Sequence, residues 1–264
     1  MNNKRGGLFV FLFLIVLFLI FLLNYSKIDS LLGSVVYEQE IANVSRVIDG
    51  DTIEIETKEN VRLLGINTPE RGEKYYFEAK EYLKMRIEGR EAVLRKSVED
   101  KDKYGRKLRF VFLEEENINL EMVEKGFANP YFPDEDKMYI KEFREAWRRC
   151  VENNVNLCEK STAACSVCIK IQELDYIDEE IEILNSCSLE CNLDQWTIKD
   201  EGRKKFVFED FKLKPLSRII VKTGAGENSE EILFWGGEEY VWTDSGDSLY
   251  LRDSKNKLIN YYEY

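Results

Sequence analysis

Two short polar turns and the arginine between them hold the residue types in this sequence that best suit phosphate chemistry. The first turn, DGDT at residues 49–52, carries two carboxylates and a hydroxyl. The second, NTPE at residues 67–70, carries an amide, a hydroxyl and a carboxylate. Arg62 lies between them in the apolar run VRLL, where a charge without a partner is costly. Such oxygen ligands suit a hard cation and arginine suits a phosphate, although each turn alone is also an ordinary turn sequence.

The complete absence of histidine restricts the possible chemistry. Nucleophile schemes that pair serine or cysteine with histidine are excluded, as are zinc sites with histidine ligands. Acid–base catalysis therefore depends on carboxylates, and transition-state charge must be met by arginine, lysine or a metal ion.

A third motif, DKYGR at residues 102–106, completes an ordered set. The order is DGDT, then RLLGINTPE at residues 62–70, EA at 78–79, DKYGR, and MVEKGFA at 122–128. This order resembles the staphylococcal nuclease (thermonuclease) family over residues 41–150.

The resemblance implies roles for five residues. Arg62 and Arg106 match the family's two catalytic arginines, which would face the negative charge that develops on the phosphate. Glu70 matches its catalytic glutamate, which positions or deprotonates the attacking water. Lys103 and Tyr104 match residues that line the phosphate end of the nucleotide.

The resemblance also implies one Ca²⁺ ion as cofactor. Its ligands would be Asp51, the backbone carbonyl of Thr68, and Asn67 at a position that is an aspartate in the best-known member. An amide oxygen still coordinates, but one negative charge is lost, so we expect weaker Ca²⁺ binding or a different divalent preference. Asp49, outside the ligand shell, would partly compensate for the lost negative charge.

The expected substrate is DNA, with RNA as a second candidate. The family's pair of tyrosines beside the base has only a loose counterpart in Tyr131 and Phe132. Stacking on aromatic rings tolerates any base. We therefore expect little sequence specificity and a preference for unpaired strands.

The elements that position these turns are predicted from hydrophobic periodicity. Five strands, interrupted by helices at 75–87, 119–125 and 134–151, are expected to form an OB-like barrel, the fold that the resemblance implies. The strands are predicted at residues 41–48, 52–56, 61–66, 91–98 and 107–113.

A second domain is predicted at residues 169–264. Short strands recur between turn residues, as in a β-sandwich, at 168–174, 180–185, 196–199, 205–208, 218–222, 232–235, 248–252 and 258–262. The sequence there, including LDQWTIKDEG and VWTDSGDSLYLRDSKNKLI, resembles a lamin-tail domain, which is an immunoglobulin-like sandwich. Trp196 and Trp242 are expected in its core.

The net charge of −12 is unevenly distributed. Residues 41–150 carry 22 basic and 24 acidic side chains, a net charge of −2, whereas residues 151–264 carry 13 and 23, a net charge of −10. A basic run at residues 101–109 lies in the near-neutral part, where a phosphate would bind. The acidic sandwich is expected to contact protein or an envelope surface rather than DNA.

The N-terminus predicts membrane targeting. Lys4 and Arg5 precede an unbroken apolar run at residues 8–23, without a small-residue cleavage site after it. We expect an uncleaved anchor at residues 1–25, a spacer at 26–40, and both domains outside the membrane. Secretion after cleavage is the alternative.

Six cysteines lie at or beyond position 150, four of them near the connector at residues 151–168. An even number in an exported chain favours disulfides, although the Cys165-x-x-Cys168 spacing also permits a zinc site. The sequence does not define the connectivity.

The favoured hypothesis is a membrane-anchored, Ca²⁺-dependent, outward-facing nuclease with an accessory sandwich. The alternatives are a non-catalytic binding module for nucleic acid or protein, and a structural envelope protein in which the barrel is a spacer. The retention of Asp51, Arg62, Glu70 and Arg106 favours the enzyme.

Overall fold

The computed structural model describes residues 39–132, 138–244 and 246–264, together with Leu14. Residues 41–264 form one compact unit, which contains a barrel and a sandwich. The predicted anchor and spacer thus lie almost wholly outside the described residues. No helix within the described ranges is long and apolar enough to cross a membrane.

Five strands close into the barrel. They are β1 Gln39–Val47, β2 Thr52–Ile55, β3 Asn60–Leu63, β5 Glu91–Lys101 and β6 Lys107–Leu113. Their order is β3-β2-β1-β5-β6, and a parallel pairing of β3 with β6 joins the two ends. Three two-residue strands complete this domain: β4 Ile66–Asn67 pairs with β8 Asn129–Pro130, and β7 Glu116–Asn117 extends the sheet beside β6. The predicted OB-like architecture is confirmed.

Three helices cover the barrel. Helix α1 is Tyr76–Ile87, α2 is Ile118–Glu124 and α3 is Ile140–Asn153. The Asn117 side chain caps α2 by accepting hydrogen bonds from two backbone amides of its first turn. Helix α3 buries Phe143, Ala146, Trp147 and Cys150 on one face, as its apolar spacing predicts. The first residues of the helix predicted at 134–151 lie outside the described residues, and the helix begins at Ile140.

The strand predicted at residues 61–66 ends earlier than expected. Strand β3 stops at Leu63, and Gly65 then adopts φ +73° before β4 begins. A Cβ atom at Gly65 would lie 2.7 Å from the Phe143 ring, so glycine is required both by the left-handed backbone and by the close approach of α3. The sharp turn redirects the chain toward the NTPE turn.

The sandwich consists of two four-stranded sheets. The first contains β9 Ile169–Asp175, β10 Glu180–Asn185, β15 Arg218–Thr223 and β16 Ile232–Trp235, in the order β16-β15-β10-β9. The second contains β12 Thr197–Lys199, β13 Lys205–Val207, β17 Ser248–Arg252 and β18 Leu258–Glu263, in the order β13-β12-β17-β18. A small pair, β11 Cys191–Asn192 with β14 Lys212–Leu213, lies beside them. Trp196 and Trp242 are buried in the core, as predicted.

Aromatic side chains join the barrel to the sandwich. The Trp147 ring of α3 lies 5.3 Å from the Tyr250 ring of β17 and 5.6 Å from the Tyr261 ring of β18, measured between centroids. Tyr250 is fully buried and belongs to the same apolar cluster as the barrel core. The two domains therefore share part of one hydrophobic core.

All six cysteines form disulfides. Cys150 at the end of α3 pairs with Cys158, while the sandwich contains Cys165–Cys191 and Cys168–Cys187. The disulfide prediction is confirmed. The zinc alternative is wrong because no cysteine remains free to bind a metal.

Candidate active site

The two polar turns predicted from the sequence meet in space. The Asp51 Oδ2 atom accepts hydrogen bonds from the Thr68 backbone amide at 3.3 Å and from the Thr68 hydroxyl at 3.1 Å. Gly50 permits this contact, because a Cβ atom there would lie only 2.9 Å from the Thr68 side chain. The end of β4 is therefore held against the start of β2.

Arg62 is buried beside Asp51. Its Nη2 atom lies 3.2 Å from Asp51 Oδ2, and the two side chains are 10% and 11% exposed. The same guanidinium donates 2.8 Å hydrogen bonds to the carbonyl oxygens of Leu63 and Ile66. These partners offset the cost of burying the charge and hold the planar group in one orientation.

Arg106 is connected to the same cluster through Thr52. Its Nη1 atom donates to the Thr52 hydroxyl at 3.3 Å, and that hydroxyl donates to Asp51 Oδ1 at 3.0 Å. The Asp102 carboxylate holds the opposite side of the guanidinium, with Oδ2 at 2.7 Å from both Nε and Nη2 of Arg106. Polar contacts therefore link the two arginines through Thr52 and Asp51.

Lys103 and Tyr104 occupy the tip of the turn that carries Arg106. The Tyr104 ring is exposed, with Lys103 Nζ at 5.3 Å and Arg106 Cζ at 5.5 Å from its centroid. The Asp102 side chain organises this turn by accepting from the backbone amides of Tyr104 and Arg106. Both predicted nucleotide-lining residues are thus beside a predicted catalytic arginine.

Glu70 forms an ion pair that was not predicted from the sequence. Its Oε1 atom lies 2.9 Å from Nε of Arg203, which belongs to the sandwich, and both side chains are at least half exposed. The Glu70 backbone amide donates to the Glu73 carboxylate at 2.9 Å, which fixes the turn before α1. Glu70 is two residues from Thr68, so its Cα lies within about 7 Å of the Thr68 Cα. Among the described residues it forms no hydrogen bond or ion pair with Arg62 or Arg106.

Asn67 also faces the sandwich. Its Nδ2 atom donates to the carbonyl oxygens of Glu201 at 3.1 Å and Gly202 at 2.6 Å. Only the amide oxygen of this side chain is therefore suited to a cation. Its role as a metal ligand stays a prediction.

Comparison with known proteins decides the family. The model of the staphylococcal nuclease homologue family matches residues 60–160, and the lamin tail domain model matches residues 162–264. The thermonuclease of Staphylococcus intermedius is 34% identical over 127 residues, which cover 44% of this chain and 75% of that protein. This chain belongs to the thermonuclease family.

Two other relatives show a similar level of sequence identity to this chain. The thermonuclease of Staphylococcus hyicus is 29% identical over 128 residues, covering 45% of this chain and 76% of that protein. An uncharacterized endonuclease of Haemophilus influenzae is 33% identical over 116 residues, covering 42% of this chain and 64% of that protein. The barrel is therefore a domain of the staphylococcal nuclease type, called the nuclease domain for its family, and the sandwich is a lamin-tail domain.

The two aspartates of the nuclease domain's first turn ionise differently. Burial and the neighbouring charge of Asp51 raise the pKa of Asp49 to about 6. Burial also opposes ionisation of Asp51, but the Arg62 charge and several hydrogen bonds outweigh it and lower the Asp51 pKa. Asp51 is thus the stable anion of the pair.

The donor set fits a hard cation without forming a complete acidic cage. Within the described ranges, no group of three or more acidic, cysteine or histidine side chains is placed to hold a metal ion. Asp49 and Asp51 repel one another, and a cation beside them would relieve that repulsion. Ca²⁺ accepts a shell completed by carbonyl, amide and water oxygens.

Several functional neighbours were missed in the sequence. Thr52 pairs with Arg62 in the β2–β3 register, so the hairpin pattern contained the signal that they lie side by side. No sequence pattern indicated that Arg203 lies beside Glu70, because its position depends on how the lamin-tail domain packs against the nuclease domain. Phe132, which with Tyr131 is the loose counterpart of the family's tyrosine pair, packs its ring edge-on against Phe143 at 5.3 Å between centroids.

Proposed function

We propose that this protein is a divalent-cation-dependent nuclease that hydrolyses phosphodiester bonds in DNA, with RNA as a second substrate. The contacts that join Arg62, Asp51, Thr52 and Arg106 are the main support. They hold one guanidinium against the Asp51 carboxylate and connect the other to it through the Thr52 hydroxyl. Each guanidinium carries five N–H donors, and the contacts described above use three in each. We infer that remaining N–H groups of each arginine donate to phosphate oxygens of the bound substrate.

The charged side chains of the site suggest how the phosphodiester bond is hydrolysed. A water molecule gives a proton to Glu70 as its oxygen forms a bond to phosphorus. Negative charge grows on the phosphate oxygens, and Arg62 and Arg106 stabilise it. The bond to the leaving ester oxygen then breaks, that oxygen takes up a proton from solvent water, and Glu70 releases its proton to solvent.

The cation is proposed to be Ca²⁺. Asp51, the Thr68 carbonyl and the Asn67 amide oxygen would hold it, with Asp49 close by. When bound, it would supply additional positive charge to polarise the phosphate. The oxygen-only donor set supports this choice.

Weak sequence preference is part of the proposal. Arg62, Arg106 and Lys103 are proposed to contact phosphate oxygens, and contacts to phosphate carry no sequence information. The exposed Tyr104 ring offers a stacking surface of the kind that tolerates any base.

For location, we propose the cell membrane, with both domains facing outside, or secretion if the N-terminal segment is removed. Two observations support this. Lys4 and Arg5 precede a long apolar run, and three disulfides are typical of oxidising compartments.

A non-catalytic binding module is the second candidate, favoured by the pairing of Glu70 with Arg203. Cleavage of single-stranded DNA by the full chain, with and without Ca²⁺, separates the two. The nuclease proposal predicts Ca²⁺-dependent cleavage that Glu70→Gln strongly reduces. If neither protein cleaves the strand while both still bind it, the nuclease proposal is wrong and the binding module is supported.

A further inference from the structure

A loop of the lamin-tail domain forms one side of the candidate active site. The loop at residues 200–204 joins β12 to β13 and contacts the NTPE turn at both ends. Asn67 donates to two of its carbonyl oxygens, and Arg203 pairs with Glu70 at 2.9 Å. Lys199 and Lys205, which flank the loop, lie 3.4 Å and 3.7 Å from the Glu73 carboxylate. The loop is thus held in place from both sides.

The acidic side chains of this loop are buried, whereas its arginine is exposed. Asp200 and Glu201 are buried, and the Glu201 carboxylate accepts a hydrogen bond from the Phe132 amide of the nuclease domain. Arg203, in contrast, is 64% exposed. The domain at residues 169–264, whose net charge is −9, therefore presents a cation next to Glu70, the proposed general base.

An exposed aromatic ring continues this cationic surface. Tyr240 is 62% exposed, and Lys204 Nζ lies 4.2 Å from the centre of its ring. Lys204 also donates to the Tyr240 carbonyl, which fixes the lysine against the tyrosine. Lys204 follows Arg203 directly in the chain, and the set Arg203, Lys204 and Tyr240 is here called the loop ridge.

We propose that the loop ridge binds the single-stranded nucleic acid that extends from the scissile phosphate. Alternating cations and aromatic rings are what single-strand binding surfaces use, since phosphates pair with the cations and bases stack on the rings. Exposed ion pairs are weak, so a substrate phosphate can replace Glu70 as the partner of Arg203. The exchange would free Glu70 for the attacking water. This proposal rests on the proposed nuclease function and extends its substrate site into the second domain.

Equilibrium binding tests the loop ridge independently of cleavage. The full chain is titrated against a fluorescent 20-nucleotide single strand in EDTA at several salt concentrations. Tyr240→Ala should weaken binding about tenfold, the effect of losing one stacked base, whereas Tyr240→Phe should bind as the wild type does. The double variant Arg203→Ala with Lys204→Ala should reduce the slope of log affinity against log salt by about 0.7 for each phosphate that the two cations neutralise in the wild type.

Matched controls come from the same domain. Lys214 and Lys222 pair with Glu230 and Glu180 of the sandwich, so replacing both by alanine should leave affinity and salt slope unchanged. Thermal melting confirms that each variant is folded. If folded Tyr240→Ala and the double variant both bind the single strand as the wild type does, the loop-ridge proposal is wrong, even if cleavage persists. If these variants bind more weakly and the wild type cleaves no DNA, the loop-ridge proposal is supported and the nuclease proposal is wrong.

Discussion

The Arg62 guanidinium lies 3.2 Å from the Asp51 carboxylate at a place where both side chains are almost wholly buried. Asp51→Asn should destabilise the protein by about 3–5 kcal/mol, because it leaves the buried cation without its anionic partner. Urea unfolding measures the loss. Arg46→Ala breaks the Arg46–Glu54 pair, in which the arginine is mostly exposed, and should cost less than about 1 kcal/mol. Similar losses for both variants would contradict the structural role given to Asp51.

Glu70→Gln should reduce kcat on single-stranded DNA by about 10²–10⁴-fold, as expected for the loss of a general base. Its side chain is half exposed, so the melting temperature should change little. Steady-state kinetics and thermal melting test both statements. Glu78→Gln is a suitable control, because Glu78 is an exposed carboxylate of α1 outside the proposed site. A comparable kcat for Glu70→Gln and the wild type would remove Glu70 from the mechanism.

Arg106→Lys should not preserve activity. The lysine keeps the charge but loses the planar fork that contacts Asp102 on one side and Thr52 on the other. We expect a large fall in kcat with the fold retained, measured by cleavage assays and circular dichroism. Lys103→Arg, at the exposed tip of the same turn, should remain active. Full activity of Arg106→Lys would show that only the charge is needed.

Asn67→Asp should have two opposing effects. The added carboxylate should lower the Ca²⁺ concentration that gives half-maximal activity. The carboxylate cannot donate to the carbonyls of Glu201 and Gly202, so without Ca²⁺ the protein should lose about 1–3 kcal/mol of stability. Calcium titrations of activity and of melting temperature measure the two effects separately. An unchanged calcium dependence would place the cation elsewhere.

Stability should fall as the pH rises from about 4 to about 7, in part because of Asp247. Burial, with a contribution from the charge of Asp200, raises the pKa of this carboxyl group to about 7 in the folded protein. The folded state then holds a proton that the unfolded state has already released, so rising pH favours unfolding. One pKa unit corresponds to about 1.4 kcal/mol, which makes the effect of the order of a few kcal/mol. Asp247→Asn should flatten the dependence of melting temperature on pH, and an equally steep curve would contradict the assignment.

Local patterns in the sequence predicted most of the secondary structure. Strands at residues 107–113, 180–185, 232–235 and 248–252 have the predicted bounds, because alternating or continuous apolar residues define them without help from distant contacts. Strands β11 and β14 were missed, since two residues carry no periodicity. The early end of β3 depends on Gly65 and its contact with Phe143, which lies far along the chain.

The candidate site was only partly predictable for the same reason. Asp51, Arg62 and Thr68 come together through neighbouring strands and turns, which the motif order already indicated. The partners of Asn67 and Glu70 come from the lamin-tail domain. Their positions depend on the packing of two domains, and no local pattern encodes that packing.

The contact of Trp147 with Tyr250 and Tyr261 has a consequence for the history and engineering of this chain. Removing residues 169–264 would expose the indole and the adjoining face of α3 to water, so a truncated nuclease should be prone to aggregate. Neither domain can be moved into another protein on its own unless the aromatic contact between Trp147, Tyr250 and Tyr261 is redesigned. Substitutions at Trp147 should therefore be inherited together with compensating changes at Tyr250.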